Sequence, residues 1–393
     1  MIQSHRIALD PTVEQGIALS RACGVARFAY NWALAEWNSR YEAGEKVSTN
    51  VLRKEWNALK REQFPWVYES PKDANQQPFN NLNTAFQRFF KGKAKKPTFK
   101  KRGQHDSYYV NNGRMYFYGL VVQLPNLGKV RLREELRVTG RVVSGTISRE
   151  ADRWFLSVHV ETEPEKLPVS DKSIGIDLGL KTALVCSDGQ TFEAPKPLKA
   201  NLQKLRRLSK SHSRKQKGSS NRKKSQHRLA RLHARIKNIR RDWSHKVTTQ
   251  LIRENQTICL EDLNVKGMMA NRRLSRAISD VGWGELRRQL TYKAEWYGRE
   301  VRFIGRFLPS SKTCSNCGCR KDTLALSERV FRCTDCGFEL DRDLNAARNI
   351  LAAGLAVSAC GPEGSGPDLT IGTKPCRDEA GTRTGVPEMV LTN

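Results

Sequence analysis

The sequence predicts a multidomain α/β protein, and three observations carry that expectation. Two apolar runs stop on an acid, at Asp177 in S-I-G-I-D-L-G and at Glu261 in T-I-C-L-E-D-L. Two C-x-x-C pairs, Cys314 with Cys317 and Cys333 with Cys336, are separated by fifteen residues and lead straight into D-R-D-L-N-A-A-R-N-I. Ahead of these, a block with helical spacing precedes a block of short alternating runs.

At 393 residues the chain has room for two or three cores. Its 69 Lys and Arg against 40 Asp and Glu give a formal charge of +29, which calls for a polyanionic partner. Within 199–246 there are 18 Lys or Arg against one acid, Asp242, a density beyond that of a merely solvated face. A basic membrane-surface protein is the competing reading, but no isolated amphipathic anchor supports it. No apolar run reaches about 18 residues and the N-terminus lacks a signal-peptide pattern. The expectation is therefore a cytoplasmic protein.

In chain order, 2–9 reads as a short strand, after which Asp10-Pro11 is expected to open a helix. Val13, Ile17, Ala22, Val25, Ala29, Trp32, Ala33 and Trp37 recur at helical spacing and are assigned to a core stripe. Further helices are expected over 49–60 and 74–90. The basic connector 91–103 precedes six strands, near 108–110, 115–117, 120–124, 129–132, 140–148 and 154–161, which suggest a small antiparallel barrel. Runs at 174–178 and 182–186 and a third near Thr191 form a three-strand meander. The basic region then reads as a helical hairpin broken at Gly218-Ser219-Ser220, with Leu202, Leu205, Leu208, Leu229, Leu232, Ile236 and Ile239 forming an apolar seam. A fourth strand at 256–263, a helix over 276–297, a fifth strand at 301–307 and a helix carrying Asp343 complete the unit. The Gly-, Pro- and Ser-rich stretch 357–393 predicts a disordered tail.

The cysteine spacing fits a four-thiolate zinc ribbon, since two intervening residues let both sulfurs of a pair face one tetrahedral ion. Gly318 and Gly337 suit the knuckle turns. A disulfide pair or free core thiols is the alternative, disfavoured in a reducing compartment. Cys319 does not repeat in the second pair and is left out. A meander with an acid on its first strand, a second acid ending the fourth strand and a third on the last helix describes an RNase H-like fold. Carboxylates gathered at one sheet end repel unless cations lie between them. Two Mg²⁺ ions about 4 Å apart would be held by Asp177, Glu261 and Asp343, one activating water and the other stabilising a phosphodiester's leaving oxygen.

Several motifs together resemble the TnpB (OrfB) family of transposon-encoded RNA-guided DNA endonucleases, relatives of the miniature type V CRISPR effectors. They are A-R-F-A-Y-N-W, G-I-D-L-G-L-K, L-E-D-L, S-D-V-G-W-G-E-L, P-S-S-K-T-C-S-N-C-G and D-R-D-L-N-A-A-R-N-I. The resemblance implies a RuvC-type nuclease whose acids are Asp177, Glu261 and Asp343 rather than Asp341, with zinc on Cys314, Cys317, Cys333 and Cys336. It implies a β-barrel wedge domain (1–10 and 105–168), a helical recognition domain (11–104), a RuvC-like nuclease domain (169–308 and 338–356) and a zinc ribbon contacting target nucleic acid (309–337). The expected partners are a guide RNA from the transposon end and a DNA target beside a short adjacent motif, with no oligomer required. Lys72 and Gln76 are similar to motif-reading positions. Arg206, Arg207, Lys223 and Lys224 would lie along the guide–target duplex. A nuclease-inactive guided repressor and an RNA-independent resolvase or transposase are the alternatives; loss of a triad acid would mark the first, and absence of bound RNA the second.

Overall fold

The computed structural model describes residues 1–163, 166–306, 308–325, 327–359 and 374–375. They fall into two compact units, the first built from 1–163 with 216–234, the second from the remaining described residues.

The first unit opens with β1 (Ile2–Asp10), followed by the helices α1 (Val13–Glu42), α2 (Thr49–Leu59) and α3 (Lys72–Phe90). The start of α1 differs from the expectation at Asp10-Pro11. Asp10 still belongs to β1, and Thr12 is the cap: its hydroxyl accepts from Gln15 N while the Gln15 side chain answers to Thr12 N. The start of α1 lies outside the core, with Val13 at 82% and Ile17 at 51% exposure, whereas Ala22, Val25, Ala29 and Ala33 are buried as expected. Strands β2 (Ser107–Asn111), β3 (Tyr116–Tyr118), β4 (Val121–Leu124), β5 (Gly128–Leu132), β6 (Arg141–Glu150) and β7 (Arg153–Glu161) join β1 in a seven-stranded sheet ordered β2-β6-β7-β1-β5-β4-β3. Every ladder is antiparallel, and β2 and β3 are its edges. Alternation along β7 buries Trp154, Leu156, Val158 and Val160 on one face. These side chains share one core with Trp56 and Phe79 of the helices, so the helical block and the strand block stabilise each other.

The second unit begins with β8 (Ser173–Leu178), β9 (Leu184–Cys186) and β10 (Thr191–Phe192), an antiparallel meander. Short α4 (Pro197–Ala200) and basic α5 (Leu202–Ser213) follow. The long α6 (Ser220–Glu254) starts after a break at 214–219 and contributes to both units. No residue of α5 is fully buried, while Leu232 and Ile236 of α6 are. Strand β11 (Thr257–Glu261) lies parallel to β8 and to β12 (Glu300–Ile304), which makes the sheet order β10-β9-β8-β11-β12.

Between these strands run α7 (Val265–Met268), α8 (Ser275–Val281) and α9 (Trp283–Tyr297). The single helix expected over 276–297 is thus two, because Gly282 adopts φ +79°, a left-handed value that ends α8 before α9 begins. After β12 come β13 (Cys319–Arg320), the hairpin of β14 (Val330–Arg332) and β15 (Glu339–Asp341), and α10 (Arg342–Ala359). Helix α10 runs past residue 357, so the first three residues of the expected tail are helical. Residues 374–375 pair with β13, and the rest of that stretch lies outside the described residues.

Two glycines let α10 lie against the sheet. A Cβ on Gly175 of β8 would stand 2.2 Å from the Ala347 carbonyl oxygen and 2.5 Å from the Leu351 nitrogen. A Cβ on Gly354 would stand 2.2 Å from Cys259 Sγ of β11. Both contacts are impossible for any larger residue without displacing the helix.

Candidate catalytic and metal sites

The parallel register of β8 and β11 places their C-terminal ends side by side, with Ile176 opposite Leu260. Asp177 and Glu261 each come next in their strands. Asp343 joins them from the first turn of α10, the helix that Gly175 admits onto β8. Asp177 records the convergence electrostatically: its carboxyl is pushed up to about 7, first by burial and then by the negative charges of Glu261 and Asp343, against the pull of Arg342. Such mutual repulsion, in a set made of hard oxygen donors, is what a divalent cation relieves.

The neighbouring acids are occupied differently. Asp341 Oδ1 accepts from the backbone nitrogens of Asp343 (3.0 Å) and Leu344 (3.1 Å), which makes it the cap of α10. Asp262, beside Glu261, is held by Arg287 and by Arg306 at 2.7 Å, and these hydrogen bonds keep its carboxyl below the usual range. Asp343 meets Arg342 at 3.1 Å and Arg329 at 3.9 Å. Glu261 Oε1 accepts from Ser310 Oγ at 2.7 Å.

The four ribbon cysteines converge, with sulfurs all within 4.8 Å of one another, and none of the four forms a disulfide. The two knuckles match. Cys314 N donates to Cys319 O and Gly318 N to Cys314 O; Cys333 N donates to Phe338 O and Gly337 N to Cys333 O. The glycines take φ +76° and +70°. A backbone N–H from Phe338 draws the Cys336 thiol down to about 7, while burial pushes Cys317 up to about 12. Four soft donors in this arrangement fit a tetrahedral zinc ion. Beneath them Phe331 is fully buried.

Two residues in this region have no role in the sequence reading. Asn345 and Asn349, one turn apart on α10, are 0% and 7% exposed. Asn345 donates to Thr313 O (2.7 Å) and accepts from Ser315 N (2.9 Å); Asn349 donates to Ser310 O (2.7 Å) and Thr313 O (2.6 Å). They tie the first knuckle to the helix that bears Asp343. Two amides at i, i+4 on an otherwise apolar helix face were the available signal.

Of the residues expected to touch nucleic acid, Lys72 opens α3 and is exposed, and Gln76 one turn later is half-buried. Arg206 and Arg207 on α5 and Lys223 and Lys224 on α6 are exposed. In the second unit, Lys237, Arg240, Arg241 and Arg288 line a cavity of about 430 Å³.

Comparison with known proteins agrees with the motifs. Residues 156–272 match the family model OrfB_IS605, described as "Probable transposase", 283–350 match "Cas12f1-like, TNB domain", and 1–46 match a helix-turn-helix domain of the same family. In the structure that last stretch is β1 and the single long α1. A Streptomyces pristinaespiralis protein named "Putative RNA-guided DNA endonuclease" is 40% identical over 361 residues, covering 89% of each chain. The Escherichia coli K12 protein "Putative RNA-guided DNA endonuclease InsQ" is 37% identical over 92% of this chain and 94% of its own length. The fold is similar to that of the protein in a Cas12f1-sgRNA-target DNA complex, with a TM-score of 0.57, 16% identity and coverage of 86% and 82%. The identity to full-length relatives, together with these domain matches, shows that the chain belongs to the TnpB (OrfB, IS605) family.

Proposed function

We propose that this protein is an RNA-guided DNA endonuclease of an insertion sequence, with a RuvC-type centre at Asp177, Glu261 and Asp343. The observation that carries the reading is the convergence of these acids at one end of a sheet whose first three strands form a meander. Asp177 is raised to about 7 by burial and by the other two acids. The sheet order β10-β9-β8-β11-β12 supports the reading of an RNase H-like core. The names of the full-length relatives support the same activity.

Asp177, Glu261 and Asp343 would hold Mg²⁺. When bound, it would supply a Lewis acid and an activated water for phosphodiester hydrolysis. The chain's own groups do the rest: Asp341 caps α10 and fixes the first turn from which Asp343 projects, and Gly175 lets the helix lie on β8 at Ala347 and Leu351. Arg287 and Arg306 occupy Asp262, which leaves Glu261 as the acid of the L-E-D-L pair. The four cysteines would hold one zinc. Guide RNA from the transposon end and target DNA would meet the basic residues of α5 and α6, and Lys72 and Gln76 would read the motif beside the target. Sequence choice would then follow base pairing with the guide.

The test assembles the full chain with each of two guide RNAs and challenges both complexes with both matched targets in Mg²⁺. Each complex should cut its own target alone, and Asp177→Ala, Glu261→Ala and Asp343→Ala should bind without cutting. Cutting without RNA, or regardless of the guide, would instead identify a resolvase-like enzyme.

A further inference from the structure

We propose that Ser310 is a positioning residue for Glu261 and that Asn349 fixes Ser310, so that the entry to the cysteine ribbon and the acid ending β11 are held as one piece. The inference rests on the reading of Glu261 as a metal ligand. Ser310 lies 49 residues from Glu261 in the chain, yet its Oγ donates to Glu261 Oε1 at 2.7 Å. The carbonyl of the same serine accepts from Asn349 Nδ2 at 2.7 Å. Ser310 is 6% and Asn349 7% exposed, so water competes poorly for either bond.

The geometry around Ser310 leaves it little freedom. Its nitrogen donates to Leu308 O at 2.8 Å, and the next turn closes through Lys312 N and Thr313 N onto Pro309 O. The Thr313 hydroxyl reaches the same carbonyl at 3.0 Å, and Asn349 and Asn345 both hold Thr313 O from α10. A carboxylate has about four lone-pair positions. The serine hydroxyl occupies one, which fixes the rotation of the group and leaves the remaining positions for a cation. Hydrogen bonds that orient a ligating carboxylate commonly matter about 10- to 100-fold in metal affinity or activity.

The experiment measures cleavage of a matched target by the RNA-loaded full chain against Mg²⁺ concentration at constant ionic strength. Wild type, Ser310→Ala, Ser310→Thr, Asn349→Ala and Glu261→Gln are compared, with zinc content and target binding followed in each. Ser310→Ala should need about tenfold more Mg²⁺ for half-maximal cutting, with zinc and target binding unchanged. Ser310→Thr, which keeps a hydroxyl, should restore the wild-type midpoint. Asn349→Ala should shift the midpoint in the same direction as Ser310→Ala, because it frees the serine's carbonyl.

A wild-type midpoint in Ser310→Ala, with Glu261→Gln inactive, overturns the positioning role while leaving the catalytic reading intact. Equal shifts in Ser310→Ala and Ser310→Thr also overturn it, since the hydroxyl would then not be the active feature. A wild-type midpoint in Asn349→Ala overturns the anchoring half. Wild-type cutting by Glu261→Gln removes the catalytic reading and this inference with it.

Discussion

Asp341 and Asp343 stand two residues apart, and backbone geometry separates their roles. Asp341 accepts two N–H groups at the start of α10, while Asp343 is close enough to Asp177 to raise its affinity for a proton. Asp341→Ala is therefore expected to cost about 1 kcal/mol of stability, the usual value of a helix cap, and to slow cutting only modestly. Asp343→Ala should abolish it. Denaturant melts and single-turnover cleavage of the two variants check the contrast. Lys293 offers a second test away from the acids. Its ammonium is buried and donates to His245 O, Thr248 Oγ1 and Thr249 Oγ1, all neutral acceptors, and burial pushes its pKa down to about 8. An unfolded lysine titrates near 10.4, so between about pH 8 and pH 10 the unfolded chain binds the extra proton and folding gains stability as pH rises. Relative to Lys293→Met, the wild type should gain on the order of 2 kcal/mol across that window. Paired denaturant titrations at the two ends would show it, and a constant difference would count against it.

At the scale of elements, α10 is the part on which both sites depend. Its N-terminal turn carries Asp343, Asn345 and Asn349 grip the first knuckle, and Gly175 and Gly354 allow it to lie on β8 and β11. The ribbon has a small core of its own, built around Phe331 and the cysteines, and a metal on the four thiolates would add to the little apolar surface that holds it. If the four cysteines hold one zinc as proposed, Cys314→Ser should lose most of it, since a hydroxyl replaces a thiolate. Because Cys314 neighbours the residues that α10 grips, the variant should also cut more slowly. Elemental analysis checks the first outcome and a cleavage assay the second; full zinc retention would refute the ligand set.

For the whole molecule, the charge of +29 sets the terms of nucleic-acid binding, and no helix among the described residues is long and apolar enough to cross a membrane. Each phosphate neutralised adds about 0.7 to 0.9 to the slope of log affinity against log salt. Replacing Arg206, Arg207, Lys223 and Lys224 together by glutamine should flatten that slope and weaken every target alike, because phosphate contacts carry no sequence information. Binding isotherms at several salt concentrations, on matched and mismatched targets, give the result. A loss confined to one target sequence would assign these side chains to base reading.

Much of this protein is legible in its sequence because the relevant signals are local. The apolar runs that end at Asp177 and Glu261 read as buried strands, as sheets covered on both faces require. A C-x-x-C with a following glycine specifies a knuckle within five residues, and charge density in 199–246 needs no fold to be counted. Tertiary structure alone decided how these pieces meet. It broke the helix at Gly282, where a left-handed turn is needed between two packed segments, and moved the α1 cap to Thr12 because β1 extends through Asp10. It merged the N-terminal helices and strands around one core, since neither block buries its apolar face alone. It also brought Ser310 to Glu261 and Asn349 to Ser310, bonds spanning 49 and 39 residues. Periodicity and spacing report which face of an element is buried, but a hydrogen bond between distant side chains depends on the packing of whole elements, and no short stretch of sequence encodes that.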